Sequence, residues 1–299
     1  MLFRSKIDKF KLDYNSVKQT NHNVVYAHIT GFGPKGPRSG NPATDSVMQA
    51  YTGMMSINRS AAGVPQRIEM LAIDFSTGLY AFQGVAAALY RKAMKGRGAF
   101  IQTSLLESAL ALQEGAMMEH HLQGGAAEPI GMPVGMFKTK DGFMSVNARR
   151  DEHFKRLAKL LGKDDWITDP RYADARARVV NRDELMAQLR PIFETKTSDE
   201  WVELLSSIDI LKAKVNTYDD LFKDPQVQAM DAVRWVENDT LGRVPMGTLC
   251  GQRAPATGDP LTHAPHLGEH TREVLGEMGY GAGEIEKLAD SGVVVCYRK

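Results

Sequence analysis

Short apolar runs alternate with helical periods across the first half of this chain, which limits the folds open to it. Residues 24–30 are β-branched and aromatic (VVYAHIT) and lie between polar and glycine-rich stretches, which predicts a buried strand. Residues 31–42 then carry three prolines and four glycines, which excludes a helix there. Helical spacing starts near Asp45 and runs to Gly53. From Asp74 onward, Phe75, Leu79, Phe82, Ala86 and Leu89 recur at steps of three and four, and Lys92, Lys95 and Gly96 supply a stop. Gly78, Ala81 and Gly84 would let that helix approach another backbone closely. Residues 99–103 read as a second strand, and Ser104 with Glu107 three positions on opens a further helix as a capping box. Strand, helix, strand, helix at this spacing is the pattern of a parallel α/β sheet.

The character changes after Gly124. Residues 124–133 (GGAAEPIGMP) read as a linker, and residues 136–148 as a hairpin turning at Asp141-Gly142. Helices are expected at 151–162, 181–194 and 198–207. Strand-like pieces follow at 234–237 and 244–248, then closing helices at 268–279 and 282–290. The expected organisation is a large domain over 1–125, a small α+β domain over 126–215, and a segment over 216–299 that returns to the large domain.

Charge and composition exclude several classes. Thirty-seven Lys and Arg against 36 Asp and Glu leave no electrostatic footprint for nucleic acid or an anionic membrane surface. No window approaches the roughly eighteen uninterrupted apolar residues of a membrane span. Cys250 and Cys296 are too few for a disulfide framework, and a reducing cytoplasm is the expected location.

The motifs narrow this further. Gly31-Phe32-Gly33-Pro34-Lys35-Gly36 matches G-x-G-x-x-G, but Pro37, Gly40 and Pro42 prevent a helix from opening at Gly36, so the dinucleotide-binding reading fails. Asp74 has two readings. It is an N-cap, stabilising the helix by about 1 kcal/mol, or it is an ionised carboxylate at a helix N-terminus, able to attack an activated acyl group. Spacing does not decide between them. Glu119-His120-His121 points adjacent side chains about 100° apart, and His266 and His270 are separated by Gly268, so no metal site is expected.

Residues 25–37 (VYAHITGFGPKGP), 45–53, Asp74-Phe-Ser-Thr-Gly78, Gly96-Arg-Gly98 and the Ser104-Leu-Leu-Glu107 start resemble the family III CoA-transferases. The match continues in order through 137–142, Asp169-Pro-Arg171, Trp201, Val215-Asn-Thr217, Asp224-Pro-Gln226 and 265–271 (PHLGEHT). The resemblance implies a doubly wound Rossmann-like large domain of α/β class with a small α+β domain. It also implies a homodimer of interlocked monomers, and a coenzyme A thioester as substrate with no permanently bound cofactor. In that family the aspartate matching Asp74 is the nucleophile, forming a mixed anhydride and then an aspartyl-CoA thioester. Leu105 aligns with a pocket-lining position, Phe3 and Lys9 fall near positions that touch coenzyme A, and Gly31, Gly33 and Gly131 match glycines of the site.

Three departures qualify the match. Racemases of the same superfamily carry a histidine where this chain has Thr44, which disfavours an isomerase. The glycine run that covers the aspartate in formyl-CoA enzymes is reduced here to Gly131 within residues 129–133. The family's first strand and half of its sheet have no counterpart before Leu2-Phe3-Arg4, so the large domain is expected to be incomplete. A non-catalytic remnant, or a subunit needing that half from elsewhere, is the alternative to an enzyme. Arg38, Arg59 and Arg67 are the arginines considered for an acceptor carboxylate.

Overall fold

A computed structural model describes residues 7–60, 62–125, 129–259 and 262–297. The fold is α/β, and the chain divides into two compact units, residues 1–129 and 130–299.

The first unit is built on a parallel pair of strands. After helix α1 (Tyr14–Thr20), strand β1 (Val25–Thr30) lies beside β2 (Ala99–Ser104) in a register that pairs Val25 with Ala99 and Thr30 with Ser104. Between them run α2 (Asp45–Tyr51), the single turn α3 (Met54–Ile57) and the long α4 (Ala72–Lys95). The unit closes with α5 (Leu105–Leu112) and α6 (Glu114–Gln123). The strands meet tightly at their start, where a Cβ on Gly98 would sit 2.2 Å from the Val24 carbonyl oxygen. Ser104 ends β2 and begins α5 in one residue. Its hydroxyl accepts from the Glu107 amide at 3.1 Å and donates to the Glu107 carboxylate at 2.7 Å.

Helix α4 packs on the sheet through its small residues. Ile73, Ser76, Thr77, Ala81 and Ala88 are buried, and a Cβ on Gly84 would come within 2.8 Å of the Ile101 side chain. The large apolar stripe read from spacing, Phe75, Leu79, Phe82 and Leu89, is exposed instead. Periodicity identifies a helix and its stripe. It does not say which side the sheet occupies, and close backbone approach here selects the small-residue side. The core of this unit joins Phe32, Met48, Met54, Ile73 and Ala109, with Ala43, Leu105 and Leu106 packed against it.

The second unit opens with an antiparallel sheet. Strand β3 (Val134–Lys138) pairs with β4 (Phe143–Asn147), which pairs in turn with β5 (Leu211–Lys214). The Asp141 carboxylate fixes the hairpin turn by accepting from the Thr139 hydroxyl and the Ser198 amide, at 3.1 and 2.8 Å. Helices α7 (Asp151–Leu160), α8 (Asp165–Thr168), α9 (Ala175–Val180), α10 (Arg182–Phe193) and α11 (Ser198–Ser206) surround a core that includes Phe137, Phe154, Trp166, Phe193 and Trp201. Buried Arg178 stacks on Phe154 and donates to the carbonyls of Met132, Arg149 and Tyr172 and to Asp151.

Two short helices follow, α12 (Tyr218–Lys223) and α13 (Pro225–Ala229), then a hairpin of β6 (Val233–Asn238) and β7 (Gly242–Gly247). Helices α14 (Thr271–Glu277) and α15 (Ala282–Asp290) complete the unit. Among the described residues no helix is long and apolar enough to cross a membrane.

Candidate active site

Asp74 lies in the first turn of α4, but it is not the cap. The N-cap position belongs to Leu71, whose side chain makes no capping hydrogen bond. The cap comes from a distant residue. The carboxylate of Asp45, at the start of α2, accepts from the amides of Ile73 at 2.8 Å and Asp74 at 3.2 Å through one oxygen. Its other oxygen accepts from the Gln49 side-chain amide at 2.6 Å. Gln49 in turn bonds the Ile68 backbone, donating to its carbonyl and accepting from its amide. Asp45 and Gln49 are both buried, at 3% and 1% exposure, so this network is a fixed part of the unit.

The arrangement sets the chemistry of Asp74. The helix-end amides that would hold its carboxylate ionised are already engaged by Asp45. Partial desolvation raises the Asp74 carboxyl above the ordinary carboxylate value of 3.8, and the negative charge of Asp45 adds to the rise. The residue as a whole is exposed and no hydrogen bond is directed at its carboxylate by the described side chains. A carboxylate that is poorly stabilised by donors and shares a helix terminus with a second anion is more basic and more nucleophilic than a capping aspartate. Sequence spacing misses Asp45 because its partner amides are 28 and 29 residues away. The one local sign is the i,i+4 pair Asp45–Gln49.

Asp74 lines a pocket of about 360 Å³ with Thr44, Asp45, Arg67, Glu69 and Leu71 among its walls. Arg67 is therefore the arginine of the three considered that reaches this pocket, and it makes a two-point ion pair with Glu69. Arg38 instead lies over the Tyr51 ring, and Arg59 donates to the Ser56 carbonyl. Thr44 borders a second pocket of about 480 Å³, lined by Ile7, Gly31, Gly33, Pro42 and Leu105. Thr44 caps α2 through its hydroxyl, so at the position where a racemase carries histidine there is a capping residue with no ring base.

The glycines have local causes. A Cβ on Gly31 would fall 2.4 Å from that of Ala43, so the loop folds on itself only with glycine there. Gly33 has a φ of +90°, and its amide donates to the Thr30 hydroxyl. The Gly31 carbonyl accepts from the Leu106 amide, which ties the loop to the start of α5. Gly31, Gly33 and Leu105 thus share one pocket. Lys9 is exposed and does not line that pocket, although Ile7 in the same turn does. Phe3 lies outside the described residues. Gly131 belongs to the second unit, buried where a Cβ would stand 2.8 Å from the Arg149 carbonyl oxygen.

The first unit is thus a parallel strand pair with an aspartate in the first turn of its crossover helix and a glycine-rich loop pocket beside it. Residues 3–271 match CoA-transferase family III, and the chain belongs to it. An acyl-CoA transferase of Fusarium pseudograminearum is 30% identical over 96% of this chain and 65% of its own length. The succinyl-CoA:glutarate CoA-transferase of Mus musculus is 30% identical over 97% of this chain and 68% of its own. The chain spans about two thirds of the length of these relatives. Among solved structures, a CAIB/BAIF family protein from Brucella suis is similar with a TM-score of 0.78 and 28% identity, covering 92% of this chain and 73% of that one.

Proposed function

We propose that the chain transfers coenzyme A from an acyl-CoA donor to a free carboxylic acid, with Asp74 as nucleophile. The observation that carries this reading is the placement of Asp74 in the first turn of α4, lining a pocket and raised in pKa, while Asp45 takes the helix-end amides.

The Asp74 carboxylate attacks the thioester carbonyl, the C–S bond breaks, and a mixed anhydride forms as the coenzyme A thiolate leaves. The thiolate attacks the aspartyl carbonyl of the anhydride, giving an aspartyl-CoA thioester and freeing the donor acid. The acceptor carboxylate then attacks that thioester to form a second anhydride. The returning thiolate takes the acceptor acyl group and restores the Asp74 carboxylate. Every step exchanges one activated carbonyl for another, so exclusion of water matters as much as nucleophilicity.

The pocket of Gly31, Gly33 and Leu105 next to Thr44 is the proposed place for part of the coenzyme A thioester. Lys9, Phe3 and Gly131 remain proposed contacts by resemblance. Arg67 is the proposed partner of an acceptor carboxylate, exchanging its bond to Glu69 for one to substrate. Succinate and glutarate, the acids in the relatives' names, head the acceptor panel. The homodimer carried by the resemblance and the cytoplasmic location expected from the two cysteines belong to the same reading. The exposed stripe of α4 supports an assembly in which that stripe is covered.

The test is exchange of label between a panel of acyl-CoA thioesters and free acids, with Asp74→Ala and Asp74→Asn beside the wild type and coenzyme A binding measured by calorimetry. Binding and exchange by the wild type, with both variants inactive, is the expected result. Exchange retained by Asp74→Asn would remove the nucleophile role, and a folded chain that binds no coenzyme A would overturn the proposed activity.

A further inference from the structure

The second unit holds a group of side chains with no part in the chemistry above. Asp239 sits in the tight turn between β6 and β7, and His263 and His266 lie in the loop before α14. Each offers one ligand atom, and these atoms lie within 4.8 Å of one another. His263 Nδ1 is 3.1 Å from one oxygen of Asp239, and His266 Nε2 is 4.0 Å from the other. Ligand atoms bound tetrahedrally at zinc distances stand about 3.3 Å apart, so small side-chain adjustments would bring the three onto one ion.

Two further observations separate this group from an ordinary surface ion pair. The first concerns His263, whose other nitrogen, Nε2, faces the Glu269 carboxylate at 3.4 Å. A neutral imidazole carries one N–H and one lone pair. With the N–H directed at Glu269, the Nδ1 lone pair opposes an Asp239 oxygen, and a cation between them converts that repulsion into two bonds. Histidine ligands of metals commonly donate their second N–H to a carboxylate in this way. Glu269 is itself held in place by the His266 amide, which donates to it at 2.6 Å.

The second observation is that the surrounding backbone fixes all three residues. The Asn238 side chain accepts from the amides of Thr240 and Leu241, closing the turn that carries Asp239, and donates to the Thr262 carbonyl, tying that turn to the histidine loop. The His266 ring lies flat on Tyr297, with centroids 4.5 Å apart and planes 8° from parallel. The Tyr297 amide donates to the Gly268 carbonyl, where φ is +79° and a Cβ would collide with the Val295 backbone. A cavity of about 850 Å³ lined by Asp239, His263 and Glu269 gives an ion and its water access.

We infer that Asp239, His263 and His266 bind one divalent late first-row transition metal, with Glu269 orienting His263 from the outer shell and water completing the coordination. Two imidazoles and a carboxylate suit zinc, and the oxygen-only preferences of magnesium and calcium do not match this set. The spacing of His266 and His270 gave no hint of it, since His270 contributes no ligand and Asp239 is 24 residues from His263 in sequence.

The experiment titrates the tag-free full chain with Zn²⁺ by calorimetry and with Co²⁺ by visible absorption. One ion per chain with a Kd in the micromolar range or tighter, and the intense Co²⁺ bands of low coordination number, are expected. Asp239→Asn, in an exposed turn, should weaken binding more than tenfold, His263→Ala should abolish it, and Glu269→Gln should weaken it by about ten- to a hundredfold. His270→Ala should leave it unchanged. Absence of stoichiometric binding, which would leave an imidazolium ion pair only, overturns the proposal. So does binding that Asp239→Asn and His263→Ala both leave intact.

Discussion

Replacing Asp45 with alanine is the sharpest probe of how the first unit is held together. The carboxylate is 3% exposed and accepts three hydrogen bonds, from the Ile73 and Asp74 amides and from Gln49. A hydrogen bond to a charged group contributes about 1.5–3 kcal/mol, and a buried amide left without an acceptor costs a similar amount. The Ile73 amide bears most of that cost, because Ile73 is fully buried. The Asp74 amide, at 3.2 Å, contributes less, and the Gln49 side chain retains its bond to the Ile68 carbonyl. The sum is about 3 kcal/mol, or on the order of a 150-fold change in the opening equilibrium of the α4 N-terminus. Asp45→Asn keeps one oxygen for the two amides and turns an N–H₂ toward Gln49, so it should cost about 1 kcal/mol. Tryptophan fluorescence does not read this region, since Trp166, Trp201 and Trp235 all lie in the second unit. Urea unfolding by circular dichroism and hydrogen exchange at the Ile73 and Asp74 amides do read it. An Asp45→Ala protein within about 0.5 kcal/mol of wild type, with those amides still protected, would refute the capping argument.

Three more outcomes follow from the same geometry. If Asp74 is the nucleophile it must be ionised to attack, and its carboxyl is raised, so kcat/KM should fall as pH drops through a midpoint above 3.8, and Asp45→Asn should move that midpoint down. A pH–rate profile with an unmoved acid limb would contradict the coupling. Gly31→Ala places a methyl group 2.4 Å from the Ala43 side chain, and should destabilise the loop by about 1–3 kcal/mol while raising KM for the thioester. Arg178→Ala removes four partners at once, leaving the Met132, Tyr172 and Arg149 carbonyls short of a donor. It should cost about 3–5 kcal/mol, seen as an earlier tryptophan-fluorescence transition in urea.

Local rules carried the elements of this fold further than they carried its site. The strands at Val25–Thr30 and Ala99–Ser104 show in their local composition although they pair with each other at long range, and the Ser104–Glu107 cap and the Asp141-Gly142 turn rest on interactions between near neighbours in sequence. Periods and turn residues encode such contacts directly. Helix α4 shows where this ends: its spacing marks an apolar stripe at Phe75, Leu79 and Phe82, yet Ser76 and Ala81 are buried and Gly84 is set against Ile101 of the sheet. The close approach that makes this so depends on strands on either side of it in sequence. Asp74 was legible as a carboxylate at a helix start, through its position and the family resemblance. That Asp45 does the capping and Asp74 does not was hidden, since a long-range hydrogen bond leaves no mark on spacing. The same holds for Asp239 beside His263 and His266.

If Asp74 is the nucleophile, its carboxylate becomes covalently modified during turnover. The direct measurement is peptide mass spectrometry after incubation with an acyl-CoA donor, with and without hydroxylamine. A coenzyme A adduct on the peptide bearing Asp74, converted by hydroxylamine to the aspartyl hydroxamate and absent from Asp74→Ala, is the expected result. Sustained transfer with Asp74 unmodified, or an adduct at another residue, would contradict it.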